Sequence, residues 1–372
     1  MRNILLFILM FGSLNLFAQT AAEVKLKSGE EKAELGDYQG AIADYNKALE
    51  LFPDYFEVYM ERSKAKYLLN NAEGAITDLD KAIQIDSSST TAFCWRGLVK
   101  NQLKQHKEAI LDLNKAIDMD PQYILAYHLR SRIFIDLKNY YQAINDLNMV
   151  ILLDPKNTEV YNDRGLCFNG LGWHIKAIED LSKLIEIDST FKDAYGNRGA
   201  AYISLGNATK AIKDFTKLIE INPNDAEAHE SRGIAKDMQK DYKGAIEDFT
   251  EAIELDSTNY MYFYHRANSK KKIGNLQDAI ADFDKSIQIN PEFPSSYHNR
   301  ATTKSKLNKS TEALNDINKA IDLDPFNAVY YENRAYLKGN TGDYEGGCTD
   351  MIQSGKLGND RASEFYKANC GN

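Results

Sequence analysis

The sequence lacks the short motifs that carry most enzymatic chemistry. It has six histidines, but no H-E-x-x-H motif and no two histidines four residues apart, which argues against a zinc site on a helix. The motifs G-x-x-x-x-G-K-S/T, G-x-S-x-G and C-x-x-C are also absent. We therefore predict a protein that is not an enzyme, with no catalytic residue, no metal and no cofactor.

Basic residues are fewer than acidic ones. The chain has 45 lysines and arginines against 54 aspartates and glutamates, a formal net charge of −9 at pH 7. Nucleic acids and anionic membranes select basic surfaces. This balance therefore argues against both as the main partner.

Long apolar runs are also missing. The longest one, residues 4–17, follows a short cationic start and is broken by polar residues. It is shorter than the ~20 apolar residues that a membrane-spanning helix needs. With the small residue Ala18 behind it, this stretch has the parts of a secretory signal peptide, predicted over residues 1–18. No cysteine precedes Cys94, which argues against a lipoprotein anchor, so we expect export to the periplasm, the cell surface or the extracellular space.

What the sequence does have is a repeat of 34 residues, clearest in residues 194–223. In this copy an Ala-Ile-x-Asp core begins at Ala211, and an arginine, Arg198, precedes it. Both residues recur at steps of 34. The alanines are Ala41, Ala75, Ala109, Ala143, Ala177, Ala211, Ala245, Ala279 and Ala313, and the arginines are Arg62, Arg96, Arg130, Arg164, Arg198, Arg232, Arg266, Arg300 and Arg334. A fixed period of this length indicates a repeat array.

Within one repeat the apolar residues have helical spacing. Tyr195, Gly199 and Tyr202 form one stripe, and the apolar residues of 211–219 form a second. Glycine follows the first stripe, and Pro223 stops the second. Each repeat is therefore predicted to be a helix, a tight turn and an antiparallel helix.

This unit resembles the tetratricopeptide repeat, whose pattern has an aromatic residue and Leu-Gly-x-x-Tyr in the first helix, Ala-x-x-x-Phe in the second, and a closing proline. We number repeat positions so that Ala211 and its counterparts are position 20. The resemblance covers about ten repeats, residues 22–361, with residues 362–372 as a C-terminal capping helix. It implies an all-α fold, a right-handed superhelical solenoid of antiparallel helix pairs.

Arginine at position 7 and aspartate at position 23 depart from the family pattern. They lie at similar distances on either side of the turn, which predicts pairs such as Arg198 with Asp214 and Arg232 with Asp248. A solvated pair would contribute ~0–1 kcal/mol, whereas losing one partner of a buried pair costs roughly 3–5 kcal/mol. The second interpretation is favoured because solvated positions have no reason to keep the same residue. The lysine common at position 11 is expected to lay its stem over the apolar face.

Two of the four cysteines lie near the end of the array. Cys348 and Cys370 enclose a short loop, and an exported protein meets oxidising conditions. They are a candidate disulfide, with two unpaired thiols as the alternative, because the sequence does not show whether the sulfurs meet. Cys94 and Cys167 lie in different repeats and are expected to stay unpaired.

The resemblance implies that a concave groove, lined by first-helix positions 2, 5, 9, 12 and 13, binds an extended peptide or a partner helix. The candidate groove residues are Leu125, His128, Arg132, Ile135, Asn162, Leu166, Asn169, Ile203, Glu230, Ile234, Met238, Tyr264, Asn268, Lys271, Lys272 and His298. For any one of them, ordinary solvated surface is the alternative. Position 5 is never lysine, so the clamp with which some family members hold chaperone tails is not met.

We therefore predict a non-enzymatic scaffold for protein–protein interaction, either a monomer or part of a hetero-complex, with a protein or peptide partner. One alternative is a structural subunit or assembly factor of a bacterial envelope complex. Another is a glycan-binding module, for which Trp95 and Trp173 would have to be exposed platforms.

Overall fold

The computed structural model describes the backbone of residues 2–370 and the side chains of residues 18–364 and Cys370. In this part of the chain every regular element is an α-helix. The predicted all-α array of paired helices is confirmed. No helix among the described residues is long and apolar enough to cross a membrane. The side chains of residues 1–17 lie outside the described residues, so the signal peptide over residues 1–18 stays a prediction.

The helices fall into two compact units, Met1–Trp173 and His174–Asn372. The helices of unit 1 are α1 (Arg2–Glu34), α2 (Tyr38–Leu51), α3 (Phe56–Leu68), α4 (Ala72–Ile85), α5 (Thr90–Gln102), α6 (His106–Met119), α7 (Ile124–Asp136), α8 (Tyr140–Leu153) and α9 (Thr158–Gly170). The helices of unit 2 are α10 (His174–Ile187), α11 (Lys192–Ser204), α12 (Ala208–Ile221), α13 (Ala226–Met238), α14 (Tyr242–Leu255), α15 (Tyr260–Lys272), α16 (Leu276–Ile289), α17 (Pro294–Lys306), α18 (Ser310–Leu323), α19 (Ala328–Asn340), α20 (Tyr344–Lys356) and α21 (Asp360–Asn369).

The turn between the two helices of a repeat is built from local hydrogen bonds. After α11, Gly206 adopts a φ of 73°, and the amide of Asn207 donates to the carbonyl of Tyr202 at 2.8 Å. This closes the first helix in the left-handed conformation that glycine favours. The Asn207 side chain then accepts from the amide of Lys210 at 3.2 Å and caps α12. The chain reverses within three residues, which sets the two helices antiparallel.

Small residues bring the two helices of a repeat close together. A Cβ atom added to Gly199 would lie only 2.7 Å from Cζ of Phe215, which is 3% exposed. Ala211 is fully buried in the same cluster, and Ala228 and Ala235 of the next repeat complete it. Each core is therefore shared between neighbouring repeats, as expected for a repeat array.

The last helix, α21, packs against α20. Ala362 of α21 is buried in a small cluster with Ala335 and Met351. A disulfide joins Cys348 to Cys370, with the two Cα atoms 5.8 Å apart. Cys94 and Cys167 are buried, unpaired thiols.

Candidate functional site

The arginine of position 7 donates two hydrogen bonds to the carboxylate of the aspartate at position 23 of the same repeat, an arrangement called here the arginine fork. Nε and Nη2 of Arg198 donate to the two carboxylate oxygens of Asp214, both at 2.8 Å, and Arg232 grips Asp248 in the same way. The two carboxylates are 4% and 2% exposed. The same fork joins Arg62 to Asp78, Arg96 to Asp112, Arg130 to Asp146, Arg266 to Asp282, Arg300 to Asp316 and Arg334 to Asp350. This geometry is that of a buried bidentate pair and not of a solvated charge stripe.

The lysine of position 11 is a third member of this group, which the sequence analysis did not predict. Nζ of Lys236 lies 2.9 Å from Oδ2 of Asp248. The same contact, at 2.7–2.9 Å, joins Lys66 to Asp78, Lys100 to Asp112, Lys270 to Asp282, Lys304 to Asp316 and Lys338 to Asp350. Its signal in the sequence was the constant spacing of 12 residues between lysine and aspartate.

The same arginine also reaches the preceding repeat. Nη1 of Arg334 donates to Oδ1 of Asn318 at 2.8 Å, and Nη1 of Arg96 donates to Oδ1 of Asp80 at 2.7 Å. The acceptor is always at position 25 of the repeat before. The other acceptors are Asn46, Asn114, Asn148, Ser182, Thr216, Thr250 and Asp284. Each arginine therefore connects three helices, and the polar residue recurring at position 25 was the signal that the sequence analysis missed.

In each unit the first helices of successive repeats lie against one another. Position 5 of one repeat contacts position 6 of the next. In unit 1, Nε2 of His128 lies 3.6 Å from a carboxylate oxygen of Asp163. In unit 2 the corresponding contacts are Glu230 with His265 at 3.6 Å, Tyr264 with Asn299 at 3.0 Å and His298 with Asn333 at 2.8 Å. We call the surface that α13, α15, α17 and α19 form together the first-helix face of unit 2.

The predicted groove residues are divided between the two units, and the groove stays a prediction. Those of unit 1 run from Leu125 to Asn169, and those of unit 2 run from Ile203 to His298. Five are exposed: Leu125, Arg132, Leu166, Met238 and Lys272. The others are half-buried: His128, Ile135, Asn162, Asn169, Ile203, Glu230, Ile234, Tyr264, Asn268, Lys271 and His298.

The first-helix face of unit 2 has an acidic part on α13. Burial raises the pKa of Glu230 to about 7, and the nearby Glu227 carboxylate adds to this shift. Further along α13, Asp237 accepts a hydrogen bond from Oγ of Ser269 at 2.8 Å and pairs with Lys272. The acidic part is therefore linked directly to α15.

The basic part of this face lies on α15 and α17. Burial lowers the pKa of Lys271 to about 8, and the charges of Lys306 and Lys272 lower it further. Nζ of Lys271 donates to Oδ1 of Asn299 at 2.7 Å, a neutral partner. Burial and the neighbouring Lys271 together lower the pKa of His298 to about 4, which keeps this imidazole neutral at pH 7.

The described side chains also bear on a metal site and on a glycan-binding platform. Among residues with described side chains, no group of three His, Cys, Asp or Glu could hold a metal ion. The Trp95 ring is half-buried, with Tyr67 at its edge and Lys64 over its face. Trp173 is 39% exposed and packs against Tyr141 and Phe168. The two tryptophans form no stacking row for a sugar chain.

Comparison with known proteins agrees with this architecture. Family models described as "Tetratricopeptide repeat" match residues 193–225, 90–123, 124–157, 158–191, 262–293 and 294–327, and one described as "TPR repeat" matches residues 29–70. No curated protein matches the chain.

Three similar solved structures share the fold. A tetratricopeptide repeat protein from Parabacteroides merdae is 19% identical over 67% of this chain and 98% of its own, with a TM-score of 0.52. The C-terminal part of a TPR repeat-containing protein from Cytophaga hutchinsonii is 19% identical over 64% and 98%, with a TM-score of 0.56. A chain of the APC/C hetero-tetramer Cut9-Hcn1 is 14% identical over 94% and 84%, with a TM-score of 0.52. On the repeat geometry and these matches together, the chain belongs to the tetratricopeptide repeat family.

Proposed function

We propose that this tetratricopeptide scaffold binds an extended peptide or a partner helix on the first-helix face of unit 2. The proposal rests on one observation. The two parts of that face have half-buried charged groups of opposite sign, Glu230 and Lys271, and neither charge is fully neutralised within the chain. Glu230 and Lys271 both have pKa values displaced by burial toward the neutral form. A ligand charge of opposite sign would compensate each of them.

The charges and the apolar surface of this face support one class of ligand. A ligand carboxylate near Lys271 and Lys306 would neutralise two ammonium groups that repel each other. A ligand cation near Glu230 would neutralise the carboxylate of that residue. Met238, 42% exposed, offers apolar surface on the same face. A peptide with separated acidic and basic residues and an apolar anchor fits this pattern, and one good anchor is worth ~2 kcal/mol.

Selection of random peptides displayed on phage against the full oxidised chain tests the proposal. One selected peptide is then measured by fluorescence anisotropy against the double variant Lys271→Glu, Lys306→Glu. The matched control is Lys285→Glu, Lys319→Glu, which makes the same charge change at exposed lysines on second helices. We expect acidic residues among the selected peptides, at least ~10-fold weaker binding to the first variant, or about 1.4 kcal/mol, and unchanged binding to the control.

Equal affinity for both variants would contradict the proposal and place binding on another surface. Failure to select any peptide would contradict it as well. Both variants must melt like the wild type, since Lys271 is half-buried. The alternative of a structural subunit would be favoured by a different result. The chain would then co-purify with other proteins in a fixed stoichiometry, and the double variant Lys271→Glu, Lys306→Glu would not change that stoichiometry.

A further inference from the structure

The hairpin of α7 and α8 departs from the arginine–aspartate–lysine group at one residue. Phe134 occupies position 11, where the preceding repeat has Lys100. Arg130 still donates to both carboxylate oxygens of Asp146, at 2.8 and 2.6 Å. Among the described residues it is the one cation that the structure pairs with this carboxylate.

A cleft of about 500 Å³ lies beside this pair, and Phe134, Gln142 and Asp146 are among the residues that line it. They hold positions 11, 19 and 23. In other repeats the lysine ammonium binds at these same positions. It contacts the carboxylate of position 23, and it also donates to the backbone carbonyl of position 19 at 3.3–3.4 Å. The accepting carbonyls are those of Gly74, Gly244 and Gly346. The cleft is therefore lined by the positions that hold an ammonium group elsewhere in the chain.

The carboxylate can accept a further donor. In the preceding repeat, Oδ2 of Asp112 accepts from Nε of Arg96 at 2.9 Å and from Nζ of Lys100 at 2.7 Å. The matching oxygen of Asp146 accepts only from Arg130 among the described residues. Asp146 is 4% exposed, and burial raises its pKa despite the neighbouring Arg130. A second cation at this oxygen would stabilise the ionised carboxylate.

Phe134 adds a second element of recognition, since the face of an aromatic ring attracts a cation. The hairpin of α11 and α12 shows the same attraction within the chain. There, Tyr202 stands at position 11, and Nζ of Lys210 at position 19 lies 5.2 Å from the centre of its ring. Position 19 of the α7–α8 hairpin is the neutral Gln142, which supplies no such cation.

We propose that the cleft between α7 and α8 binds the primary ammonium group of an alkylamine, which takes the place that the Lys100 ammonium has in the preceding repeat. The ammonium donates to Oδ2 of Asp146, and its alkyl chain lies along Phe134. The site is on a hairpin of unit 1 and does not depend on peptide binding by unit 2.

The test uses the full oxidised chain and butylammonium as the probe. The NMR signal of the Arg130 Nε–Hε group, assigned by its loss in Arg130→Lys, reports on the carboxylate. The variant Phe134→Lys supplies the missing ammonium from within the chain, and Phe134→Leu is the uncharged control. We expect a saturable shift at millimolar probe, a half-saturation at least ~10-fold higher in Phe134→Lys, and a change within ~3-fold in Phe134→Leu.

Tetramethylammonium has the same charge but no N–H donor, so it should bind at least ~10-fold more weakly. Absence of a saturable shift up to ~50 mM, or equal half-saturation in wild type and Phe134→Lys, overturns the proposal. Spermidine and acetyl-Gly-Lys-Gly-amide are then used to displace butylammonium. The more effective competitor assigns the site to a free polyamine or to a lysine side chain of a protein, and displacement by neither overturns the proposal.

Discussion

Two neighbouring hairpins of unit 1, α5–α6 and α7–α8, share one scaffold and differ in how its buried carboxylate is neutralised. Asp112 is held by Arg96 and Lys100, whereas Asp146 is held by Arg130 beside a phenylalanine. The arginine fork is the same in both. The fork therefore sets the register of the two helices, and the lysine is an additional partner that the fold can do without.

The largest expected change in the free energy of unfolding comes from removing the position-23 carboxylate. Asp112→Ala leaves two partly buried cations without their partner and should lower the free energy of unfolding by roughly 3–5 kcal/mol. Asp146→Ala leaves one such cation, so its cost should be smaller. Urea denaturation followed by circular dichroism measures both, with Asp118→Ala on the exposed side of α6 as the control. Losses below ~0.5 kcal/mol in both variants would show that the pairs behave as surface charges.

Exchange of the position-11 residues should have a smaller effect, of opposite sign in the two hairpins. Lys100→Phe removes a hydrogen bond between charged groups and should destabilise the fold by about 1.5–3 kcal/mol. Phe134→Lys adds the same bond and should stabilise it by ~0.5–1 kcal/mol. The same urea measurement applies, and Phe134→Leu separates the effect of the charge from the loss of the ring. Destabilisation by both exchanges would mean that each hairpin is packed specifically around its own residue.

The smallest effect concerns protonation, where Asp146 is compared with Asp44. Hydrogen bonds from Lys32 and Ser28 lower the pKa of Asp44, whereas burial raises the pKa of Asp146. Asp44 therefore contributes stability above the ordinary aspartate pKa, and this is lost as the pH falls through its lowered folded value. Ionisation of the Asp146 carboxyl group costs stability above its raised folded pKa, and this penalty disappears as the pH falls to the ordinary aspartate value.

Carboxyl carbon NMR of the chain labelled at aspartate measures these two midpoints, with Asp44→Asn and Asp146→Asn for assignment. We expect Asp44 to titrate below Asp146. The variant Phe134→Lys should lower the midpoint of Asp146, and its failure to do so would show that a lysine at position 11 does not reach this carboxylate.

The sequence was sufficient to predict the helix pairs, their turns and the register of the arginine–aspartate pairs. Ala211, Arg198 and Asp214 recur at a constant period, and a period shows which residues share one face of a helix. It does not show how far a flexible side chain reaches. For that reason the ammonium groups of position 11, the reach of each arginine into the preceding repeat and the contacts between positions 5 and 6 were all missed. The cleft beside Phe134 was missed because it lies where most repeats have a lysine at position 11, and this repeat lacks one.

Each position-7 arginine of unit 2 contacts the preceding repeat, so these contacts have a direction along the chain. Arg334 donates to Asn318 of the repeat before it. Among the described residues, Arg300, Lys304 and Asp316 of that earlier repeat bond one another and make no hydrogen bond or ion pair with the repeat after them. Loss of α19–α21 would therefore leave the arginine–aspartate–lysine group of the α17–α18 hairpin intact, whereas loss of α10 would remove the Ser182 acceptor of Arg198. The Cys348–Cys370 crosslink lies at the last repeat of unit 2, whose loss would disturb the fewest of these arginine contacts.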